Sequence, residues 1–241
     1  MLIHYGNFLF RYRNTLFPVI LVILLLGFKP TPYAGNEYAD SWLDFAGLLI
    51  IIMGQTLRAA VIGLAYVKRG GVNKKIYADN LVTQGIFSHC RNPLYAGNLM
   101  ILSGFLVIHN NLWVYLLGGS FFIFSYSAIV AAEESYLYSK FGEEFNQYCD
   151  KVNRWLFRIR GIRQTLSSMQ FNWRRVLIKD YTTVLTWIIT VLFIFTEEHI
   201  ALHGLKNSHE YIAKTSLVAI LFISVALCVR IMKKSGRLTE K

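Results

Sequence analysis

Apolar stretches long enough to cross a bilayer recur along this chain, broken by short polar intervals. A helix rising about 1.5 Å per residue needs roughly 20 residues to span a hydrocarbon core of ~30 Å. Runs approaching or exceeding that length fall at 15–28, 42–66, 93–108, 112–132, 176–196 and 211–232. The pattern predicts six transmembrane helices, the first and third short. Two intervals are large enough to stand outside the membrane, 67–92 and 133–175. The second begins by continuing the fourth helix, in AAEESYLYSKFGEEFNQYCDKV, where Tyr136, Phe141, Phe145, Tyr148 and Val152 recur at helical spacing. Gly142 weakens the middle of that stretch.

Composition agrees. Charged residues make up 16% of the 241, against about 25% in an ordinary soluble domain. The expectation is an all-α, polytopic membrane protein of about six helices. No internal repeat or second soluble domain interrupts it. The chain divides into an N-terminal segment with the first helix (1–41), a core (42–156), a basic segment (157–175) and a C-terminal helix pair (176–241).

A formal charge of +11 would suit nucleic acid, but its distribution points to a membrane surface instead. Lys and Arg collect at Arg11 and Arg13, from Lys68 to Lys75, between Lys140 and Arg175, and from Arg230 to Lys241. The opposite loops hold Glu37, Asp40, Glu197, Glu198 and Glu210. With six helices every basic loop falls on one side, and the positive-inside rule makes that side and both termini cytoplasmic. Arg11 and Arg13 could also start a signal peptide, but no small-residue cleavage site follows closely. The segment RWLFRIRGIRQTLSSMQFNWRR mixes arginines with Trp155, Leu156, Phe157 and Trp173, which suits a seat on anionic headgroups or simple charge anchoring. Cys90, Cys149 and Cys228 fall at or near the cytoplasmic side, where thiols stay reduced, so no disulfide framework is expected.

Three polar groupings sit where hydrocarbon does not ask for them. In SHCRNPLYAGN, Asn92 followed by Pro93 is a helix-start signature. Arg91 beside it, with the positive end of the helix dipole, makes an anion site as well as a cap. Tyr95 shares that first turn, and Gly97 leaves room for a ligand or a neighbouring helix. Glu133 and Glu134 lie where the fourth helix leaves the bilayer, as functional carboxylates or solvated ones. Gln55 and Arg58, three apart in IIMGQTLRAAVIG, share a helix face beside Gly54. For them the alternatives are an interhelical hydrogen bond and snorkelling. His199, His203 and His209 with Glu197, Glu198 and Glu210 have the look of a metal site in the outer loop, but read better as incidental histidines; no metal is expected.

GIFSHCRNPLYAG followed by EESYLYSKFGEEFNQYCDKVNRW resembles the isoprenylcysteine carboxyl methyltransferase and phospholipid methyltransferase superfamily of integral membrane enzymes. The matching residues are Gly85, Phe87, Arg91, Asn92, Pro93, Tyr95 and Gly97, then Glu133, Glu134, Leu137, Phe141, Gly142, Phe145, Tyr148, Val152 and Arg154. GQTLR at 54–58 resembles a further family helix. Asn92 stands where histidine is more usual, and the last two helices lie outside the resemblance. The resemblance implies S-adenosylmethionine as cofactor, bound at the cytoplasmic end, and a lipid-like acceptor arriving from the bilayer. On that expectation Arg91, Asn92, Tyr95 and Arg154 surround the cofactor's carboxylate, and Glu133 and Glu134 receive its amine and ribose. Gly85, Phe87, Leu137 and Tyr148 complete the pocket with apolar walls. Arg58 and Glu134 are the expected catalytic residues, Arg58 as counter-ion to a carboxylate acceptor. The competing expectations are N-methylation of a phospholipid amine, an NADPH-dependent sterol-type reductase, and a transporter or scaffold. No hydrolytic triad or phosphate loop appears, and nucleic acid is not an expected partner.

Overall fold

The computed structural model describes residues 1–31, 37–64 and 76–239; the basic run Lys68 to Lys75 and the side chain of Glu37 lie outside the described residues. Helices account for the regular structure, with no strand among the described residues. They are α1 (Leu2–Gly27), α2 (Glu37–Leu64), α3 (Pro93–His109), α4 (Ser120–Phe141), α5 (Glu143–Lys151), α6 (Ile162–Ser167), α7 (Trp173–His203) and α8 (His209–Lys234). A 3-10 turn, Gly85–Ser88, precedes α3, and a π turn, Val114–Gly119, leads into α4.

Among the described residues, five helices are long and apolar enough to cross a membrane: α1, α2, α7, α8, and α4 with its π turn. The sixth expected span is α3, a shorter apolar helix of 17 residues, about 25 Å long at 1.5 Å per residue. One boundary differs from the sequence pattern. α1 begins near the chain start rather than at residue 15. Its polar first half is carried by packing, since it buries Gly6, Leu9 and Phe10, and Gly6 lies directly against the Ala128 carbonyl. As expected, α4 continues past the apolar stretch, to Phe141, so Glu133 and Glu134 lie within the helix. Gly142, at φ +53, ends it in a conformation that favours glycine, and α5 starts at once.

The helices pair antiparallel. α2 and α3 meet through glycines one heptad apart on each helix. A methyl group added at Gly54 would sit 2.7 Å from the Gly97 carbonyl, and one added at Gly104 would sit 2.6 Å from the Gly47 carbonyl. Such close backbone approach is how helices associate without a hydrophobic driving force between them. α1 lies along α4, with the Phe17 ring edge-on to both Phe122 and Tyr126. α7 runs back along α2, joined where the Asn172 amide donates to the Gly63 carbonyl at 2.9 Å. α8 then pairs with α7, with a Thr196–Thr215 hydroxyl bond at 3.1 Å. The apolar core between these pairs is built on Leu24, Ile51, Phe105, Ile108, Phe122 and Ile194. This pairing brings the ends carrying Arg13, Arg58, Asn92, Glu133, Arg175 and Lys233 to one end of the bundle.

Candidate active site

At that end a cavity of about 1230 Å³ opens between α1, α2, α3, α4, α7 and α8. Small-molecule pockets commonly hold about 300–1,000 Å³, so this one has room for more than one ligand. The sequence-expected residues Arg58, Phe87, Arg91, Asn92, Tyr95, Glu133, Leu137 and Tyr148 all line it. Gly85, Glu134 and Arg154 do not.

Adjacent carboxylates end in different places. Glu134 lies behind the cavity wall, and its two oxygens are taken by arginines. Arg91 Nε donates to Oε1 at 3.1 Å, and Arg154 reaches Oε1 and Oε2 through Nε and Nη2 at 3.2 and 2.5 Å. Arg91 Nη1 also donates to the carbonyls of Cys149 and Val152. Arg91 thereby ties the start of α3 to the end of α5. This geometry makes Glu134 a clamp rather than a group on the cavity wall, and Arg154 its half-exposed partner. Glu133 lines the cavity and accepts the Tyr95 hydroxyl at 2.6 Å. Tyr95 in turn accepts from Arg13 Nη1 at 2.6 Å. Arg13, on the first helix and read from sequence only as a topology charge, is thus part of the site.

Asn92 occupies the N-cap of α3 with Pro93 following, as expected, but its side chain makes no capping bond. Its Nδ2 instead donates to the Arg154 carbonyl at 3.3 Å and towards Glu134 Oε1 at 3.5 Å. The clamp around Glu134 draws the side-chain amide away from the first turn. Gly85 adopts φ +64 to open the 3-10 turn, and a side chain there would meet Met169. Its role is backbone geometry. Phe87 is buried by that turn, and Tyr148 fixes it by donating its hydroxyl to the Phe87 carbonyl at 2.7 Å. Cys90, 0% exposed, lies against the carbonyls of Arg154 and Trp155 and is a packing residue.

Arg58 and Gln55 share a face, but the group they share it for is Asp180 on α7. Arg58 Nη2 pairs with Oδ1, and Gln55 Nε2 donates to Oδ2 at 2.6 Å. Asn98 and Thr183 complete the set around Arg58. Asp180 is wholly buried, so the Arg58 charge is matched within the protein. The signal for it was a lone aspartate inside an apolar run, where an ionisable residue signals a partner.

At the far end, Asp40, Asp44 and Glu198 bring carboxylate oxygens within 4.8 Å of one another. The histidines nearby serve packing: the His199 ring stacks on Tyr211 and His203 at 4.1 and 4.3 Å, and its Nδ1 meets the Ser208 hydroxyl.

The chain is 25% identical over 146 residues to the nickel-cobalt-cadmium resistance protein NccN of Alcaligenes xylosoxydans xylosoxydans, covering 61% of this chain and 65% of that protein. It is 27% identical over 146 residues to the cobalt-zinc-cadmium resistance protein CzcN of Cupriavidus metallidurans, covering 61% and 64%. The chain therefore spans a little under two thirds of the length of either relative. No solved structure matches. Residues 42–144 match the family model described as phospholipid methyltransferase. This stretch supplies α2, α3, α4 and the turn before α3, and with them Arg58, Arg91, Tyr95 and Glu133. Over 42–144, then, this integral membrane protein is similar to the phospholipid methyltransferase family.

Proposed function

We propose that the chain is a methyltransferase that uses S-adenosylmethionine and methylates a lipid-like acceptor entering its cavity from the bilayer. The observation that carries this reading is the placement of Glu133, held by Tyr95 and Arg13, on the wall of a cavity that runs between membrane helices. The side chains present suit that cofactor. Glu133 offers a carboxylate to an amine or to ribose hydroxyls. Arg91 commits Nε and Nη1 to protein acceptors, and its Nη2 is suited to an incoming carboxylate. Phe87, Leu137 and Tyr148 offer apolar and aromatic surface to a purine.

The cofactor, when bound, supplies an electrophilic methyl group on a sulfonium. What remains for the protein is alignment and exclusion of water. In-line displacement gains from fixed approach geometry, and charge lost at sulfur is favoured where water is kept out. The Arg13–Tyr95–Glu133 chain fixes one carboxylate oxygen, and the Arg91–Glu134–Arg154 clamp holds the helix start that carries Tyr95. The resemblance to isoprenylcysteine carboxyl methyltransferases favours a carboxylate acceptor. A second reading, N-methylation of a phospholipid amine, is favoured by the Arg58–Asp180 pair, because the matched charge gives Arg58 little surplus attraction for a carboxylate. We place the site on the cytoplasmic side, where the basic loops fall.

The test is ligand-induced stabilisation of the purified protein. S-adenosylhomocysteine should raise the melting temperature and NADPH should not, since only a bound ligand stabilises the folded state. The opposite pattern would favour a reductase. Methyl transfer from labelled donor into a total membrane lipid extract then identifies the acceptor and separates O- from N-methylation.

A further inference from the structure

The cavity has a second wall that the family segment does not build. Arg175 and Lys179, one turn apart on α7, and Lys233 near the end of α8 all line it. Lys233 Nζ donates to the Ile178 carbonyl at 3.1 Å and sits 6.0 Å from the Tyr181 ring. That contact ties the end of α8 to α7 and gathers three cations from two helices at one mouth. Arg175 is half-buried there, and Lys179 and Lys233 are exposed. Deeper along the helix the wall turns apolar at Trp187, and Leu21 of α1 and Phe105 of α3 line the same space. A cationic mouth over an apolar shaft matches an amphiphile with a negative head. Simple positive-inside anchoring does not distinguish these residues from their neighbours. Arg174 and Lys234 sit on the same helices at the same depth but do not line the cavity.

We propose that the α7–α8 pair forms an oxyanion subsite, Arg175, Lys179 and Lys233, that holds the phosphate or carboxylate of an amphiphile whose chain descends past Leu21, Phe105 and Trp187. The amphiphile is the methyl acceptor if the methyltransferase reading above holds; the subsite itself stands without it. Charge-assisted hydrogen bonds are the strong class of such contacts. The C-terminal helices thereby set which lipids the cavity accepts, and the family segment sets what is done to them.

The experiment measures binding of three probes to the full chain in neutral detergent by titration calorimetry. The probes are dioctanoylphosphatidylglycerol, dioctanoylglycerol and inorganic phosphate. The wild type should bind the anionic lipid about tenfold or more tightly than dioctanoylglycerol, and phosphate alone should compete only weakly. Lys179→Gln/Lys233→Gln should abolish that preference, and the neighbouring pair Arg174→Gln/Lys234→Gln should retain it. Equal loss in both pairs, or an unchanged preference in Lys179→Gln/Lys233→Gln, overturns the subsite. Competition by phosphate as effective as the lipid overturns the amphiphile. S-adenosylhomocysteine affinity, measured alongside, should be the same in all variants. Its absence from the wild type would remove the methyltransferase reading and leave the lipid result standing.

Discussion

Arg58 and Arg91 each carry a buried positive charge held by a carboxylate, but the two clusters are built differently. Arg91 pairs with Glu134, 43 residues away, and its other bonds go to the carbonyls of Cys149 and Val152. Every partner lies in the ordered block that runs from α3 to α5. Arg58 pairs with Asp180, 122 residues away, on a helix outside the family segment. The first cluster closes a local turn of chain and leaves its second arginine, Arg154, about half exposed. The second bridges separate helices, with Asp180 0% exposed and Arg58 11%. One ties the start of α3 to the end of α5, and the other fastens the C-terminal pair to the core.

Breaking the more buried cluster should have the larger effect. Asp180→Asn leaves the Arg58 guanidinium without a counter-charge, which costs about 3–5 kcal/mol for a buried pair. Thermal unfolding in detergent should show a large drop. Glu134→Gln should cost less, because Arg91 keeps two carbonyl acceptors and Arg154 turns to solvent. Arg58→Met/Asp180→Leu should recover most of the loss, since replacing both partners avoids the orphaned charge. Equal losses for Asp180→Asn and Glu134→Gln would erase the distinction.

A steric perturbation sharpens the same comparison. Gly54→Ala forces a methyl group against the Gly97 carbonyl, 2.7 Å away, one position from Gln55. Overpacking of this kind costs about 1–3 kcal/mol. The shift should weaken the α2–α7 cluster without changing S-adenosylhomocysteine affinity as much as stability. Arg13→Met removes the donor to Tyr95 but keeps the apolar stem. It should lower S-adenosylhomocysteine affinity severalfold with little change in melting temperature, whereas loss of folding would assign Arg13 to the scaffold.

The smallest effect is a reporter of the Arg91 clamp. Burial pushes the Cys149 thiol above its usual range, so less of it is thiolate near neutral pH and alkylation should be slow. Glu134→Gln loosens the clamp that uses the Cys149 carbonyl and should speed iodoacetamide labelling at Cys149. An unchanged rate would mean that the clamp survives without its carboxylate.

The same contrast decides how much was legible in the sequence. Helix existence followed from hydrophobic runs, and the α3–α5 motif residues were readable because they are close in sequence and ordered. Eight of them meet at the cavity with Arg58 counted in. The side-chain directions were not readable: Glu133 and Glu134 are neighbours on one helix, and a turn of about 100° per residue sends one to the cavity and the other behind it. Asn92 looked like a cap because its position is one, but its side chain makes no capping bond and its Nδ2 turns to the Arg154 carbonyl. Asp180 and Arg13 were missed because each acts through a partner far away in the chain. The start of α1 was missed because its polar residues hide a packing face built on Gly6, Leu9 and Phe10.

The central claim is that Glu133 faces a bound methyl donor and Glu134 does not. Titration of S-adenosylhomocysteine into wild type, Glu133→Gln and Glu134→Gln, each checked for folding, tests it directly. A charge-assisted hydrogen bond is worth roughly 1.5–3 kcal/mol, a ~10- to 150-fold change in affinity. The account predicts a loss of that size for Glu133→Gln and a smaller one for Glu134→Gln, whose main effect falls on stability. Unchanged affinity in Glu133→Gln, or no binding to the wild type at all, would contradict it.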